Sequence, residues 1–359
     1  MKGCWTIDEL RRRAARLPRI ALTDLPTPFH ECPTLAKSIG GRAQLFMKRD
    51  DLTGLGLGGN KIRKLEFALG EAKAQGCDVV VQGLAGQSNY CRQTAAAAAK
   101  VGLRCILVLR QDHKAEDPPQ GNRLLDYVFG AEVRMVPPDP EKQKQALAAL
   151  LEELKAQGRK PYVFTRRNEV LGAVAYALCL AEIMEQQGRA GAKADYLCVA
   201  SRGGTLAGLL LGQRLLGFPG KILCILVSPL ADLRESCREV AGVATEAADL
   251  LGADERFAED DVHIVTGYAG AAYGTSTEGC LEALLLLGRT EGLVVGPVYT
   301  AKCLAGVIDL VRTGKIPAGS TVVFLHTGGV PEVFAYNREI MDFLARAPGQ
   351  GQHMGRGRG

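Results

Sequence analysis

Short β-branched runs alternate with segments of helical period along nearly the whole chain, and this alternation limits the fold more than any other feature. Strands apolar on both faces, each followed by a helix, belong to a parallel sheet covered by helices. The runs 45–48, 79–81, 105–109, 133–136, 162–164, 197–200, 222–227 and 322–325 read as strands. Helical spacing marks 61–75, 87–101, 141–157, 171–187, 205–216, 278–290 and 301–313. The proline pairs Pro118-Pro119 and Pro137-Pro138 fall in loops, since proline disrupts a helix interior. Eight strands exceed one small lobe. They divide into a small domain over 58–165 and a large domain built from 1–57 with 166–345. The fold class expected is therefore α/β and two-lobed, each lobe a mainly parallel sheet flanked by helices, with ligands in the cleft between them. The tail over 346–359, rich in Gly, Gln and Arg, is expected to be disordered.

Composition removes several function classes. The formal charge of +5 is a mild excess, and much of it sits in Arg11, Arg12, Arg13 and Arg16 and in the tail. No aromatic residues interleave these arginines as base-stacking platforms, so a solvated helix face is the plainer reading and no nucleic-acid partner is expected. The apolar run around 284–287 is far too short to span a bilayer, and no membrane partner is expected. The 11 cysteines are scattered, odd in number and without C-x-x-C spacing, which suits a reducing compartment such as the cytoplasm.

Two segments carry the strongest chemical signals. In Gly58-Gly59-Asn60-Lys61-Ile62-Arg63-Lys64-Leu65-Glu66-Phe67, two glycines free the backbone, Asn60 is placed to cap a helix, and Lys61 opens it. Ile62, Leu65, Leu69 and Ala72 recur at helical spacing and face the core, which leaves Lys61 off that face. A partly desolvated lysine has a lowered pKa suited to Schiff-base chemistry, although for this segment taken alone a surface lysine on a solvated helix start is the plainer reading. Residues 54–59 also match G-x-G-x-x-G, but Lys48-Arg49-Asp50-Asp51 precede them where a dinucleotide site needs a buried strand. Next, Ser201-Arg202-Gly203-Gly204-Thr205-Leu206-Ala207-Gly208 follows a strand and starts a helix. Its small residues let N–H groups meet an anion at the positive end of the helix dipole, the makings of a phosphate cup. No Gly-Lys-Ser/Thr ending is present, so a nucleoside triphosphate is not implied.

Three further segments are weaker alone. Gly86-Gln87-Ser88-Asn89-Tyr90 precedes an alanine-rich helix whose start could hold a carboxylate, or could simply be capped. Tyr273 and Tyr299 stand on Gly-rich loops, in Ala272-Tyr273-Gly274 and Gly296-Pro297-Val298-Tyr299-Thr300, and can act as acids, bases or wedges. His326, in Leu325-His326-Thr327-Gly328-Gly329, reads as structural.

Together, in this order and spacing, the segments from about Leu22 to Tyr336 resemble the D-cysteine desulfhydrase and 1-aminocyclopropane-1-carboxylate (ACC) deaminase family, within fold type II of pyridoxal 5′-phosphate (PLP) enzymes. The resemblance implies PLP as cofactor, a small amino acid as substrate and a homodimer. It implies Lys61 as the Schiff-base lysine, Asn89 as partner of the ring hydroxyl, and Gly203, Gly204 and Thr205 as phosphate donors, with Arg202 adding a charge nearby. Ser88, with Gln87 and Asn89, would meet the substrate carboxylate, while Tyr273 and Tyr299 would flank the substrate. ACC deaminases carry Glu after the Pro-Val-Tyr tyrosine, facing the pyridine nitrogen. Here that residue is Thr300, with Thr327 before the Gly-Gly pair, as in the desulfhydrase and cysteate lyase branch. The activity implied is β-elimination by a carbon–sulfur lyase. Alternatives are ACC deamination, cysteate sulfo-lysis, a specialised biosynthetic lyase or racemase, and a catalytically silent PLP-fold binding protein. Three departures from the pattern stand out: Leu84-Ala85-Gly86, Tyr90 in place of a common His, and Arg202 in a turn usually built of small residues.

Overall fold

The computed structural model describes residues 4–111, 114 and 117–346. It contains β1 (Phe29–Glu31), β2 (Gln44–Lys48), β3 (Val79–Ala85), β4 (Arg104–Arg110), β5 (Glu132–Val136), β6 (Pro161–Val163), β7 (Tyr196–Val199), β8 (Lys221–Ile225), β9 (Ile264–Val265) and β10 (Thr321–Leu325). Four strands form one sheet in the order β5-β4-β3-β6, all parallel. The other six run β1-β2-β10-β7-β8-β9, parallel except for the antiparallel pair β1–β2. Each of the eight expected strands forms. The two additional ones, β1 and β9, are three and two residues long, too short for alternation to mark. The final helix closes on Arg346, one residue into the expected tail, and the tail from Pro348 lies outside the described residues.

Strand order changes direction at β3/β6 in one sheet and at β10/β7 in the other. Crevices outside the carboxyl ends of strands form at such points. The turns following β3, β7 and β10 therefore face a common space, and they are the segments 86–88, 200–202 and 326–328.

Two packing features hold the turns in place. The helix Arg166–Arg189 lies against the helix Gly203–Leu216, and glycines permit the close approach. A Cβ at Gly208 would stand 2.2 Å from the Ala173 carbonyl oxygen, and one at Gly204 would stand 2.3 Å from that of Glu169. Under the helix Lys61–Ala74 lies a buried ionic cluster: Arg63 donates to Asp50 at 2.8 and 2.9 Å and to Glu182 at 3.0 Å, and Lys48 also pairs with Glu182. Removing one member would strand a buried charge, at a cost of about 3–5 kcal/mol. Among the described residues no helix is long and apolar enough to cross a membrane.

Candidate active site

The lysine helix begins where two glycines turn the chain. Gly58 and Gly59 take φ of 68° and 126°, and a Cβ at Gly58 would fall 1.8 Å from the Asp51 carbonyl oxygen, so only glycine fits. Residues 54–59 enclose a short 3-10 turn, Leu55–Leu57, not the strand-to-helix turn of a dinucleotide site. Asn60 stands at the N-cap position, but the expected capping does not occur. Its backbone is already helical, and its amide instead donates to Thr205 Oγ1 at 3.2 Å. Its N–H donates to the Thr327 carbonyl at 3.0 Å. Asn60 thereby ties the lysine helix to the turns of the other sheet.

Ile62, Leu65, Leu69 and Ala72 are fully buried, which turns Lys61 away from that core and into the cleft. Its Nζ lies 5.5 Å from the centre of the Tyr90 ring. Burial, then the charge of Lys64, push the Lys61 amine down from 10.5 to about 7, while Glu169 opposes them. Near neutral pH a large share of it is the free, nucleophilic amine.

One helical turn on, Lys64 is buried and reaches Glu169 at 3.2 Å. The same carboxylate accepts the Gly204 N–H at 2.5 Å, at the start of the helix Gly203–Leu216. Lys64 foremost holds Glu169 down to about 2; burial acts against it, and the Gly204 N–H reinforces it. The glycine turn thus does cradle an oxyanion, and the oxyanion it cradles here is a side chain of the protein. Neither Lys64 nor Glu169 emerges from the sequence reading. The i, i+3 spacing of Lys64 from Lys61 is the signal that could have found it.

Across the cleft, β3 runs to Ala85, four residues further than its β-branched run, and Ser88 caps the helix Asn89–Val101. Ser88 Oγ accepts the N–H groups of Tyr90 and Cys91, both at 3.2 Å, which leaves its hydroxyl proton available to an acceptor in the cleft. Gln87 turns away: its amide bonds the carbonyls of Lys114 and Gln120 and the N–H of Asn122, holding the neighbouring loop. Tyr273 and Tyr299 pair through their hydroxyls at 2.6 Å. Burial, above all, pushes the Tyr299 phenol well above its usual value, so it stays neutral and can donate.

These residues enclose a cavity of about 660 Å³. Lys61, Ser88, Asn89, Arg202, Gly203, Tyr273, Tyr299 and Thr327 line it, together with Lys64, Tyr90 and Glu169. Gln87, Gly204, Thr205 and Thr300 are not on its wall. Thr300 Oγ1 accepts the Gly296 N–H at 2.7 Å and donates to the Gly328 carbonyl at 3.0 Å, bracing the turn that carries Thr327. Arg202 donates to Ser236 Oγ at 3.1 Å. His326 is buried, bonded to the Val294 carbonyl and to its own turn through the Gly328 N–H.

A depressed lysine amine, an oxyanion cup and a roomy cleft between them are what a phosphorylated aldehyde requires, and PLP fits this donor set once Glu169 yields the cup to the phosphate. Comparison with known proteins agrees. A family model described as "Pyridoxal-phosphate dependent enzyme" matches residues 20–328. The chain is 36% identical over 335 residues to a 1-aminocyclopropane-1-carboxylate deaminase of Burkholderia vietnamiensis, covering 91% of this chain and 98% of that protein. A crystal structure of an ACC deaminase homologue superposes with a TM-score of 0.84 at 36% identity, over 94% of this chain and 99% of the other. A PLP-dependent aspartate racemase, 17% identical with a TM-score of 0.63, shares the fold over 90% of this chain and 95% of its own. The chain therefore belongs to the pyridoxal-phosphate dependent enzymes of fold type II, as a lyase or deaminase of the ACC deaminase family.

Proposed function

We propose that this enzyme is a β-eliminating lyase of D-cysteine desulfhydrase type, taking a small amino acid with a leaving group on Cβ to a 2-oxo acid and ammonia. When bound, PLP supplies an electron sink for negative charge at Cα. The chain supplies the rest. Lys61 would attach the cofactor and, once the substrate's amine displaces it there, its free Nζ would take the Cα proton. The Ser88 hydroxyl orients the substrate carboxylate at a helix start, and an Asn89 N–H meets the ring oxygen. The Lys64 ammonium and the Gly203–Gly204 turn hold the phosphate, with Thr205 kept in place by Asn60. The Tyr273–Tyr299 pair closes over the substrate and can pass a proton to the departing group. The Cβ substituent leaves with its electron pair, and the released aminoacrylate hydrolyses.

The observation that carries this reading is the identity of position 300. It is a threonine with its hydroxyl committed to backbone, where ACC deaminases place a carboxylate. Without that carboxylate the ring nitrogen is less protonated and the sink weaker, sufficient to expel a good leaving group but poorly matched to opening a cyclopropane. The second reading, ACC deamination, is favoured by the name of the 36% identical relatives. A panel of D- and L-amino acids bearing sulfide, thiolate or sulfite on Cβ, with ACC alongside, separates them. Pyruvate from the β-substituted substrates supports elimination, whereas 2-oxobutyrate from ACC as the main product overturns it. The reading includes a homodimer in a reducing compartment; eleven cysteines without disulfides, ten of them buried, support the latter.

A further inference from the structure

Glu332 is a fully buried carboxylate that the chemistry above does not use. It opens the short helix Glu332–Ala335, just past the turn after β10. Its Oε1 accepts from Asn89 Nδ2, and its Oε2 accepts the Val298 N–H at 3.1 Å. The space is made for it: a Cβ at Gly296 would lie 2.5 Å from Oε2. On the other side of Asn89, Oδ1 accepts from Asn122 Nδ2 at 2.9 Å, and Asn122 Oδ1 accepts from Arg92 Nε at 2.7 Å. Arg92 is itself buried, bonded to the carbonyls of Gly56 and Gly58. A continuous line therefore runs from a buried guanidinium through two amides to a buried carboxylate, with Asn89 in the middle and on the cavity wall.

An asparagine amide can present either its oxygen or its nitrogen in a given direction. The Asn122 amide, whose oxygen faces Arg92 Nε, presents a donor that requires the oxygen of Asn89, and Glu332 in its ionised form, which only accepts, takes the nitrogen on the other side. One Nδ2 proton is spent on Glu332. The second is not spent on Glu332, and Asn89 lines the cavity.

We propose that Glu332 is a positioning residue that fixes the orientation of the Asn89 amide, so that the amide offers an N–H and not a carbonyl oxygen to the ring oxygen of the cofactor. This inference rests on the reading of Asn89 as the ring-oxygen partner. Without the carboxylate, the amide is held by Asn122 alone and can turn or tilt away from the cleft. Burial, the largest influence, raises Glu332 to about 7; the Val298 N–H, Asn89, Arg92 and Lys302 all favour the ionised form against it.

The test uses the full-length protein, with PLP affinity and the visible absorbance maximum of the bound cofactor as readouts. Glu332→Ala, Glu332→Gln and Asn89→Ala are made singly, and each Glu332 change is repeated in the Asn89→Ala background. Glu332→Ala is expected to weaken PLP binding about tenfold and to shift the absorbance maximum, as loss of a charge-assisted hydrogen bond implies. Glu332→Gln, which keeps the volume and an acceptor oxygen, is expected to weaken it roughly threefold and serves if the alanine variant does not fold. Both effects should vanish when Asn89 is already alanine, because a residue acting through another has no further effect once that other is gone. Equal losses with and without Asn89 would make Glu332 merely structural and overturn the proposal. So would wild-type affinity and spectrum in both Glu332 variants while Asn89→Ala alters them. An unchanged spectrum in Asn89→Ala alone would instead defeat the prior reading of Asn89, and the inference with it.

Discussion

Lys61 is under two opposed demands. Its amine is desolvated and sits one helical turn from the Lys64 ammonium, both of which favour the neutral form, while Glu169 nearby favours the charged one. The first two prevail, and the amine titrates at about 7 instead of 10.5. The sign follows directly: as pH rises through about 7 the proton leaves Lys61 and its nucleophilicity climbs, well before an ordinary lysine responds. In apoprotein, competitive acylation followed residue by residue by mass spectrometry should give Lys61 a midpoint near 7, against about 10.4 for exposed lysines. Lys64→Met, which removes the neighbouring charge, should move the Lys61 midpoint upward. A midpoint near 10 in the unmodified protein would mean the amine is well solvated and the cleft does not activate it. The sequence reading locates Lys61 from its glycines and the apolar face behind it. It does not reach the agents of its pKa, because Glu169 is more than a hundred positions away and joins the site only through tertiary packing.

At the scale of elements, the starts of two helices converge on one point. The helix Arg166–Arg189 brings Glu169 from its first turn to the Gly204 N–H at the start of the helix Gly203–Leu216. A cofactor phosphate and the Glu169 carboxylate cannot both take that N–H. Glu169→Gln removes the competing charge, and a charge at a helix start is worth up to about 2 kcal/mol, so PLP should bind apoprotein roughly ten- to thirtyfold tighter. Fluorescence titration reads this directly, and unchanged or weaker binding would show that the carboxylate does not compete for the cup. The same elements show where periodicity stops being informative. Helices with large apolar residues at regular spacing are legible, whereas Leu233–Leu251 is passed over although its faces differ, because its buried face is built mainly of Ala, Val, Ser and Cys. Asn60 has the right residue type for a cap, yet its side chain is drawn off by Thr205 across the cleft, a partner no local rule contains. Gln87 is drawn off likewise, by loop carbonyls.

For the whole molecule, the α/β class follows from alternation alone, because buried parallel strands must be apolar on both faces. The order of strands within each sheet does not, and that order places the turns after β3, β7 and β10 around one cavity. The cavity wall draws on both sheets: Lys61, Ser88 and Asn89 flank the four-stranded one, while Gly203 and Thr327 follow strands of the six-stranded one. A ligand bound to both should act as a cross-brace. Binding to the native state alone contributes about 2.7 kcal/mol at a ligand concentration a hundred times its dissociation constant. For a chain of this length that is about 3–4 °C in the thermal midpoint, given about 2.1 cal/mol/K of unfolding entropy per residue. The location of the gain is more diagnostic than its size. With PLP, amide exchange should slow together at 86–90 and at 201–205, whereas inorganic phosphate, which can fill only the cup, should protect 201–205 and leave 86–90 as it was. Lys61→Ala should keep the phosphate response and lose most of the PLP gain at 86–90, since the bond that draws the ring toward the lysine helix is gone. Protection by PLP confined to 201–205 in the unmodified protein would mean that the cofactor docks by its phosphate alone and that the two sheets meet the substrate independently.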